Sequence, residues 1–337
     1  MGRDEVAVVA ALAAVKILPH GDTDGICAAA LVKACFPEAD VWFSRAVTLL
    51  RDLQENVEPG MTVFILDVAI NEAQKEQIFG RMHELAEKGD VIYIDHHPLP
   101  PDTLKRDLPA TQLMHSVGVS ASALTFKFLQ ASLDPDLDRV ALWGAIADYT
   151  EGAELVREGL SKYDKRTIFM EAGLLGQALG EAAGNYHYKR EVVQKLSRGL
   201  PPSEIPQVVD YAIRATKREW EAWRYVKKNV KREDNIAVIR HLPSGSLGKA
   251  ALYALGVTGA DIGICARKDE DEVDMSFRRR VGVRVDLNTL LRRITARMGG
   301  SGGGHEAAAG ATVPAELFDT FLDAFKKEVS PIIKGEI

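Results

Sequence analysis

His20-Gly-Asp22-Thr-Asp24-Gly25 sets three groups able to bind a metal at alternate positions. Alternate side chains project to one side of an extended chain, and Gly21 and Gly25 permit a tight turn and close approach of a ligand. Asp24 also stands where it could cap a following helix. Asp95-His96-His97 is a second cluster, and Asp67 a single acid between the two. Adjacent histidines leave a strand end in different directions, so one can bind a metal while the other faces a substrate. Carboxylates mixed with neutral imidazoles suit Mn²⁺, with Mg²⁺ next and Zn²⁺ less favoured for want of thiolates. So many acids at one place repel one another unless cations stand between them. Two divalent ions would relieve that repulsion and could hold a bridging hydroxide for attack on phosphorus.

Four short segments must position these groups: Val15-Lys-Ile-Leu-Pro-His20, Val41-Trp-Phe43, Val63-Phe-Ile-Leu-Asp67 and Val91-Ile-Tyr-Ile-Asp95. Near-continuous apolar runs of this length read as parallel strands buried on both faces. Helix-like stretches at 25–36, 46–58 and 71–88 alternate with them, which implies an open α/β sheet. Ligands of such sheets sit outside the carboxyl ends of the strands. His20, Asp67 and Asp95 each fall at that end. Helices are expected at 118–131 and 136–149, and helical periodicity continues over 156–232. It is broken at Pro201-Pro202 and Pro206 and closes in a long connecting helix at 205–232. Ser116-Val-Gly-Val-Ser-Ala-Ser122 should cap the helix at 118–131.

The expected organisation is a catalytic domain over 1–155, a helical segment over 156–232 and a smaller α/β domain over 233–337. In the last, strands are expected at 236–241, 261–267, 272–279 and 308–313, and helices at 245–256, at 286–298 and from Pro314. A glycine-rich loop, Gly299-Gly-Ser-Gly-Gly-Gly-His-Glu-Ala-Ala-Ala-Gly310, joins the helix at 286–298 to the strand at 308–313. Consecutive glycines can turn backbone N–H groups toward a phosphate. Ser276-Phe-Arg278 precedes it; Arg278 could pair with a phosphate in forked geometry, and strand alternation favours Arg280 as a second contact.

The net charge of −6 is unevenly spread. Residues 1–100 hold 16 Asp/Glu against 8 Lys/Arg, whereas 278–297 hold 7 Arg against Asp286 alone, and 214–232 hold 8 Lys/Arg against Glu219 and Glu221. An acidic half beside two basic stretches fits a metal site facing a polyanion, though Trp220, Trp223 and Tyr225 equally fit an amphipathic helix. No apolar run reaches the roughly 20 residues of a membrane span. Acidic Asp4 and Glu5 argue against a signal peptide, so the first residues read as a helix leading into a strand and the protein as cytoplasmic. Cys27, Cys35 and Cys265 form no CxxC pair and are expected to be reduced thiols.

The order H-x-D-x-D-G, a strand-ending Asp, D-H-H, a later Asp in Ala-Ile-Ala147-Asp148-Tyr149, S-x-R and G-G-G-H-x-x-A-A-G resembles the DHH phosphoesterase superfamily. Within it the chain looks most like RecJ-like archaeal single-strand exonucleases, with the nanoRNase group next. The resemblance implies a parallel-sheet catalytic domain and a DHH-associated substrate-binding domain. It implies that His20, Asp22 and Asp67 hold one cation, and Asp24, Asp67, His96 and Asp148 a second. His97 would stabilise charge on the scissile phosphate and Asp95 would orient the histidines. Ser276, Arg278, Arg280, Gly302, Gly303, Gly304 and His305 would grip the substrate. The implied activity is 3′- or 5′-exonucleolytic hydrolysis of single-stranded DNA or RNA, or of short oligonucleotides, to 5′-mononucleotides, as in DNA repair. Alternatives are a cyclic-dinucleotide, nanoRNA or adenosine-bisphosphate phosphoesterase, or an inactive scaffold bound to a replication or repair protein. A homodimer is the family's habit.

Overall fold

The computed structural model describes residues 14–335, so the helix expected ahead of the first strand lies outside the described residues. The chain divides into two compact units, Met1–Ala215 and Thr216–Ile337.

In the first unit, Val15–Pro19 (β1), Asp40–Val41 (β2), Thr62–Leu66 (β3), Asp90–Asp95 (β4) and Gln112–His115 (β5) form a wholly parallel sheet ordered β2-β1-β3-β4-β5. Parallel strands need crossovers, which cover both faces. Ile17, Phe64, Leu66, Ile92 and Ile94 face one side; Leu18, Val63, Ile65, Val91 and Tyr93 face the other. Leu49–Asn56 (α2) and Lys75–Ala86 (α3) close the second side. The first side is built around Thr23–Cys35 (α1), in which every residue from Ile26 to Val32 is fully buried. A helix apolar all round belongs inside a core. Ala121–Leu129 (α4), Asp138–Ala147 (α5), Glu154–Leu160 (α6), Lys165–Ala182 (α7) and Tyr186–Leu196 (α8) join that same core. The helical stretch read as a separate segment is therefore split: up to Ala215 it belongs to the first unit. Pro206–Asn229 (α9) carries the chain into the second.

The second unit holds a six-stranded mixed sheet, ordered β10-β11-β9-β8-β7-β6. Its strands are Lys231–Glu233 (β6), Ile236–Ile239 (β7), Ile262–Lys268 (β8), Glu272–Arg279 (β9), Ser301–Gly304 (β10) and Ala308–Pro314 (β11). Only β7 and β8 pair parallel, across Leu247–Thr258 (α10). Leu287–Ala296 (α11) and Phe318–Lys334 (α12) cover one face. The expected α/β class and two-domain plan hold. Three strands were not legible. β6 is entirely charged, β5 is partly exposed at a sheet edge, and β10 has almost no side chains.

Phe277 is fully buried between Phe321 and Phe325, its centroid 6.1 and 5.0 Å from theirs. Phe277→Ala should cost about 3–5 kcal/mol, read as a lowered urea midpoint; an unchanged midpoint would contradict this core.

Candidate metal centre

The site lies at the carboxyl ends of β1, β3 and β4. His20 follows β1 and bridges Ser44. Asp67 follows β3 in the left-handed region, φ 60°, which Asp tolerates better than most residues. Asp95 is the last residue of β4 and delivers His96 and His97. Asp148 caps the carboxyl end of α5.

The H-x-D-x-D segment does not stay extended. Helix α1 starts at Thr23, so Asp22, not Asp24, is its N-cap and accepts the Gly25 amide at 3.1 Å. The entry is tight: a Cβ on Gly25 would lie 2.5 Å from the His20 carbonyl oxygen. Asp24 is thereby turned inward to 2% exposure. It accepts the amides of Ala121 at 2.6 Å and Ser122 at 3.0 Å, and the Ser122 hydroxyl. Those amides open α4, whose partial positive charge suits a carboxylate. Three bonds leave about one acceptor position of the carboxylate for a cation. Gly144 makes the room, since a Cβ there would lie 2.8 Å from Asp24 Oδ1.

Asp67 is at the middle. His96 Nε2 is 3.3 Å and His97 Nδ1 3.9 Å from its Oδ1, and His20 Nδ1 is 3.8 Å from its Oδ2. His20 Nδ1 also lies 2.9 Å from Asp22 Oδ2, and His96 Nδ1 3.5 Å from Asp148 Oδ2. Three sets of ligand atoms are close enough to hold a metal ion: His20, Asp22 and Asp67; Asp67, His96 and His97; and Asp24, His96 and Asp148. Asp67 Oδ2 is buried without a hydrogen-bond partner. Such an atom is costly unless something positive meets it, so the donor set fits divalent cations.

Burial pushes the Asp67 carboxyl well above the carboxylate range, helped by the charges of Asp22 and Asp24. Burial and Asp22 raise Asp24 to about 6, and burial with Asp24 and Asp22 raises Asp148 to about 7. Asp22 is the exception: burial pushes it up, but His20 holds it low. Burial acts on Asp95 in the same sense and is outweighed by His97 and Tyr93, so Asp95 stays ionised. Asp95 Oδ1 is 2.8 Å from His97 Nδ1, and its Oδ2 is 2.9 Å from the Tyr93 hydroxyl. Burial disfavours charge on His97, yet the bond to Asp95 raises its pKa overall. His115 Nε2, 2.7 Å from the His97 carbonyl oxygen, steadies the same turn.

Ser122, Gly144, Tyr93 and His115 were missed in the sequence. Only the small-residue stretch 116–122 hinted at any of them, and its cap is Ser120, which accepts the Ala123 amide. All eight acidic and imidazole residues expected at the site are together.

The groups expected to grip substrate lie in the second unit. Arg278 Nη1 donates to Ser276 Oγ at 3.0 Å and to the Phe277 carbonyl at 2.8 Å, its guanidinium against Gly248 at the start of α10. Arg280 departs from expectation. β9 ends at Arg279, so alternation stops one residue short, and Arg280 Nη2 donates to the Ala260 carbonyl at 2.8 Å. The glycine-rich segment is in part a strand rather than a loop. Gly302, Gly303 and Gly304 belong to β10, an edge strand paired with β11, and the Gly304 amide is taken by Asn288 Oδ1 at 3.0 Å. His305 starts the hairpin turn closed by its amide on the Ala308 carbonyl.

The DHH family N-terminal domain matches residues 14–149, and the DHHA1 domain matches 234–330. The chain belongs to the DHH superfamily. The first match contains all eight clustered residues, the second contains Ser276 to His305, and neither covers 150–233. No curated protein sequence matches the chain. Among solved structures, the DHH domain of a protein described as a member of a ribosomal-protein family is similar at 17% identity and TM-score 0.71, over 96% of this chain and 89% of that one. Exonuclease RecJ bound to manganese is similar at 18% and 0.65, over 100% and 97%. A pGpG-specific phosphodiesterase from Vibrio cholerae is similar at 15% and 0.58, over 94% and 98%. At these identities the likeness is one of fold. No helix among the described residues is long and apolar enough to cross a membrane.

The raised carboxyls set a pH dependence. Asp24 and Asp148 keep protons in the folded, metal-free chain up to about 6 and 7, but in the unfolded chain only to near 3.8. Between those limits the folded chain binds more protons, so its stability falls as pH rises. The raised His97 works in the same direction. The melting temperature of chelator-treated protein should therefore drop between about pH 5 and pH 8, and Mn²⁺ should restore more at the higher pH. Scanning fluorimetry measures both; a Mn²⁺ gain that shrinks with pH would contradict the assignment.

Proposed function

We propose that the chain is a divalent-metal-dependent phosphodiesterase that trims single-stranded DNA or RNA, or short oligonucleotides, to 5′-mononucleotides. The observation that carries this reading is the buried Oδ2 of Asp67, which has no hydrogen-bond partner, on a residue shared by two of the three candidate ligand sets. His20, Asp22 and Asp67 would hold one cation, and Asp24, Asp67, His96 and Asp148 a second, with Mn²⁺ favoured over Mg²⁺. When bound, such ions polarise phosphoryl oxygens and make a water acidic enough to attack phosphorus.

The protein's own part is positioning and charge. Asp67 would help to hold both cations, since its two oxygens lie toward different imidazoles. Asp95 holds His97 through Nδ1 and favours the ring's charged form, and a ring so oriented would present Nε2 to the phosphate. That charge would stabilise the one developing on phosphorus. Ser276, Arg278 and the β10 edge would bind the substrate backbone. Arg280 is left out of this role because it lies beyond the end of β9, with its guanidinium on the Ala260 carbonyl and beside Asp261. The superfamily match supports a phosphoesterase, and the likeness to RecJ is one of fold; the substrate itself is inferred from the phosphate chemistry.

Purified protein with Mn²⁺ should release 5′-mononucleotides from end-labelled DNA or RNA oligomers, and Asp67→Asn should abolish release. His97→Ala should lower kcat by about 10²–10³-fold, and Arg278→Ala should raise KM more than it lowers kcat. No nucleotide release from any single-stranded oligomer would refute the reading. Full activity in Asp67→Asn would refute the site. A rate that collapses as oligomers lengthen would move the substrate to dinucleotides.

A further inference from the structure

Between the two matched domains, α7 and α8 reach the metal centre from outside the DHH match. A cavity of about 470 Å³ opens beside His20 and Asp22, and α7, Tyr186 and Lys189 form its far wall. Lys189, on α8, is 6% exposed. Its Nζ donates to the Gly21 carbonyl oxygen at 2.6 Å, across 168 residues of sequence. Gly21 is the peptide between His20 and Asp22, and a Cβ there would stand 3.4 Å from that same Nζ. Among the described residues, Lys189 has no carboxylate within ion-pair distance. The ammonium also lies 5.9 Å from the centre of the Tyr186 ring, which stacks on Phe43.

A buried ammonium with one neutral acceptor is a costly way to hold a helix in place. A methionine of similar length would pack as well. What the ammonium adds is a bond to the one peptide whose orientation decides where His20 and Asp22 point. It also adds a positive charge behind a cluster in which, among the described residues, the ionic partners of Asp22, Asp67, Asp95 and Asp148 are imidazoles and Asp24 has none.

We infer that Lys189 is a positioning residue of the metal centre, which fixes the Gly21 peptide so that His20 and Asp22 converge with Asp67 on one cation. The inference rests on the metal-centre reading above. It assigns the uncovered helical segment a role in the site, and it separates the two cation positions: the one built on His20 and Asp22 depends on Lys189, and the one built on Asp24, His96 and Asp148 does not.

Calorimetric titration of full-length, chelator-stripped protein with Mn²⁺ tests this with three variants. Lys189→Met should weaken one of two binding steps by about 10–100-fold, the range for partners that orient metal ligands, and leave the other unchanged. Lys189→Gln, which keeps an N–H donor, should recover part of the loss. The metal-free melting temperature of Lys189→Met should be unchanged or higher. Two undisturbed steps in Lys189→Met would overturn the inference. So would equal weakening of both steps, or a depressed metal-free melting temperature, which would assign Lys189 to the core. Asp67→Asn is the control for the underlying reading: if it binds Mn²⁺ like the parent chain, the metal centre itself is wrong, whereas loss there with no effect at Lys189 removes this inference alone.

Discussion

Five carboxylates converge at one sheet edge with three imidazoles and no ion-paired lysine or arginine among the described residues. Three of the five, Asp24, Asp67 and Asp95, are nearly inaccessible. Removing such groups from water is unfavourable unless each ionised oxygen finds a partner. Asp95 has His97 and Tyr93, and Asp24 has the amino end of α4. Asp67 has one oxygen with no hydrogen bond at all. The surrounding chain is ordered so as to keep that deficit in place. Gly25 lets α1 start against His20, and Gly144 leaves space for Asp24.

The same residues serve the fold and the candidate metal centre, and the two uses constrain each other. Asp22 is at once the N-cap of α1 and a candidate ligand, so the helix start fixes where the ligand points. Asp24 ties α1 to α4 with three hydrogen bonds, which makes it a poor free ligand but a rigid one. Metal affinity gains from such rigidity, because a ligand already held loses little freedom on binding.

Strand ends were the legible part of the site. A parallel strand buried on both faces is a continuous apolar run, so the polar residue that ends it is conspicuous, as at Asp67 and Asp95. Where signal comes from side-chain patterning, edge strands defeat it. Lys231–Glu233 reads as a charged turn and Ser301–Gly304 as a loop, although both are paired. Supporting contacts were less legible still. Ser122 meets Asp24 across 98 residues and Lys189 meets Gly21 across 168, and neither separation leaves a periodic trace. The start of α1 was misjudged by two residues for a related reason: Asp22 and Asp24 both have the chemistry of a cap, and only tertiary packing against α4 decides between them.

The basic residues of the second unit show why charge counts mislead. Seven arginines in 278–297 suggested a broad phosphate-binding surface. Several are engaged within the unit itself: Arg279 on the Val283 and Glu306 carbonyls, Arg280 on Ala260, and Arg293 and Arg297 on Glu328. A guanidinium bound to a carbonyl keeps its charge but loses the open fork that reads a phosphate. Arg278 is also bound to a carbonyl, that of Phe277, and differs in its place: it lies beside the amino end of α10. A helix start is itself a favourable place for an anion. The proposed phosphate contact in this unit thus rests on one arginine placed against a helix terminus rather than on the net charge of the segment that carries it.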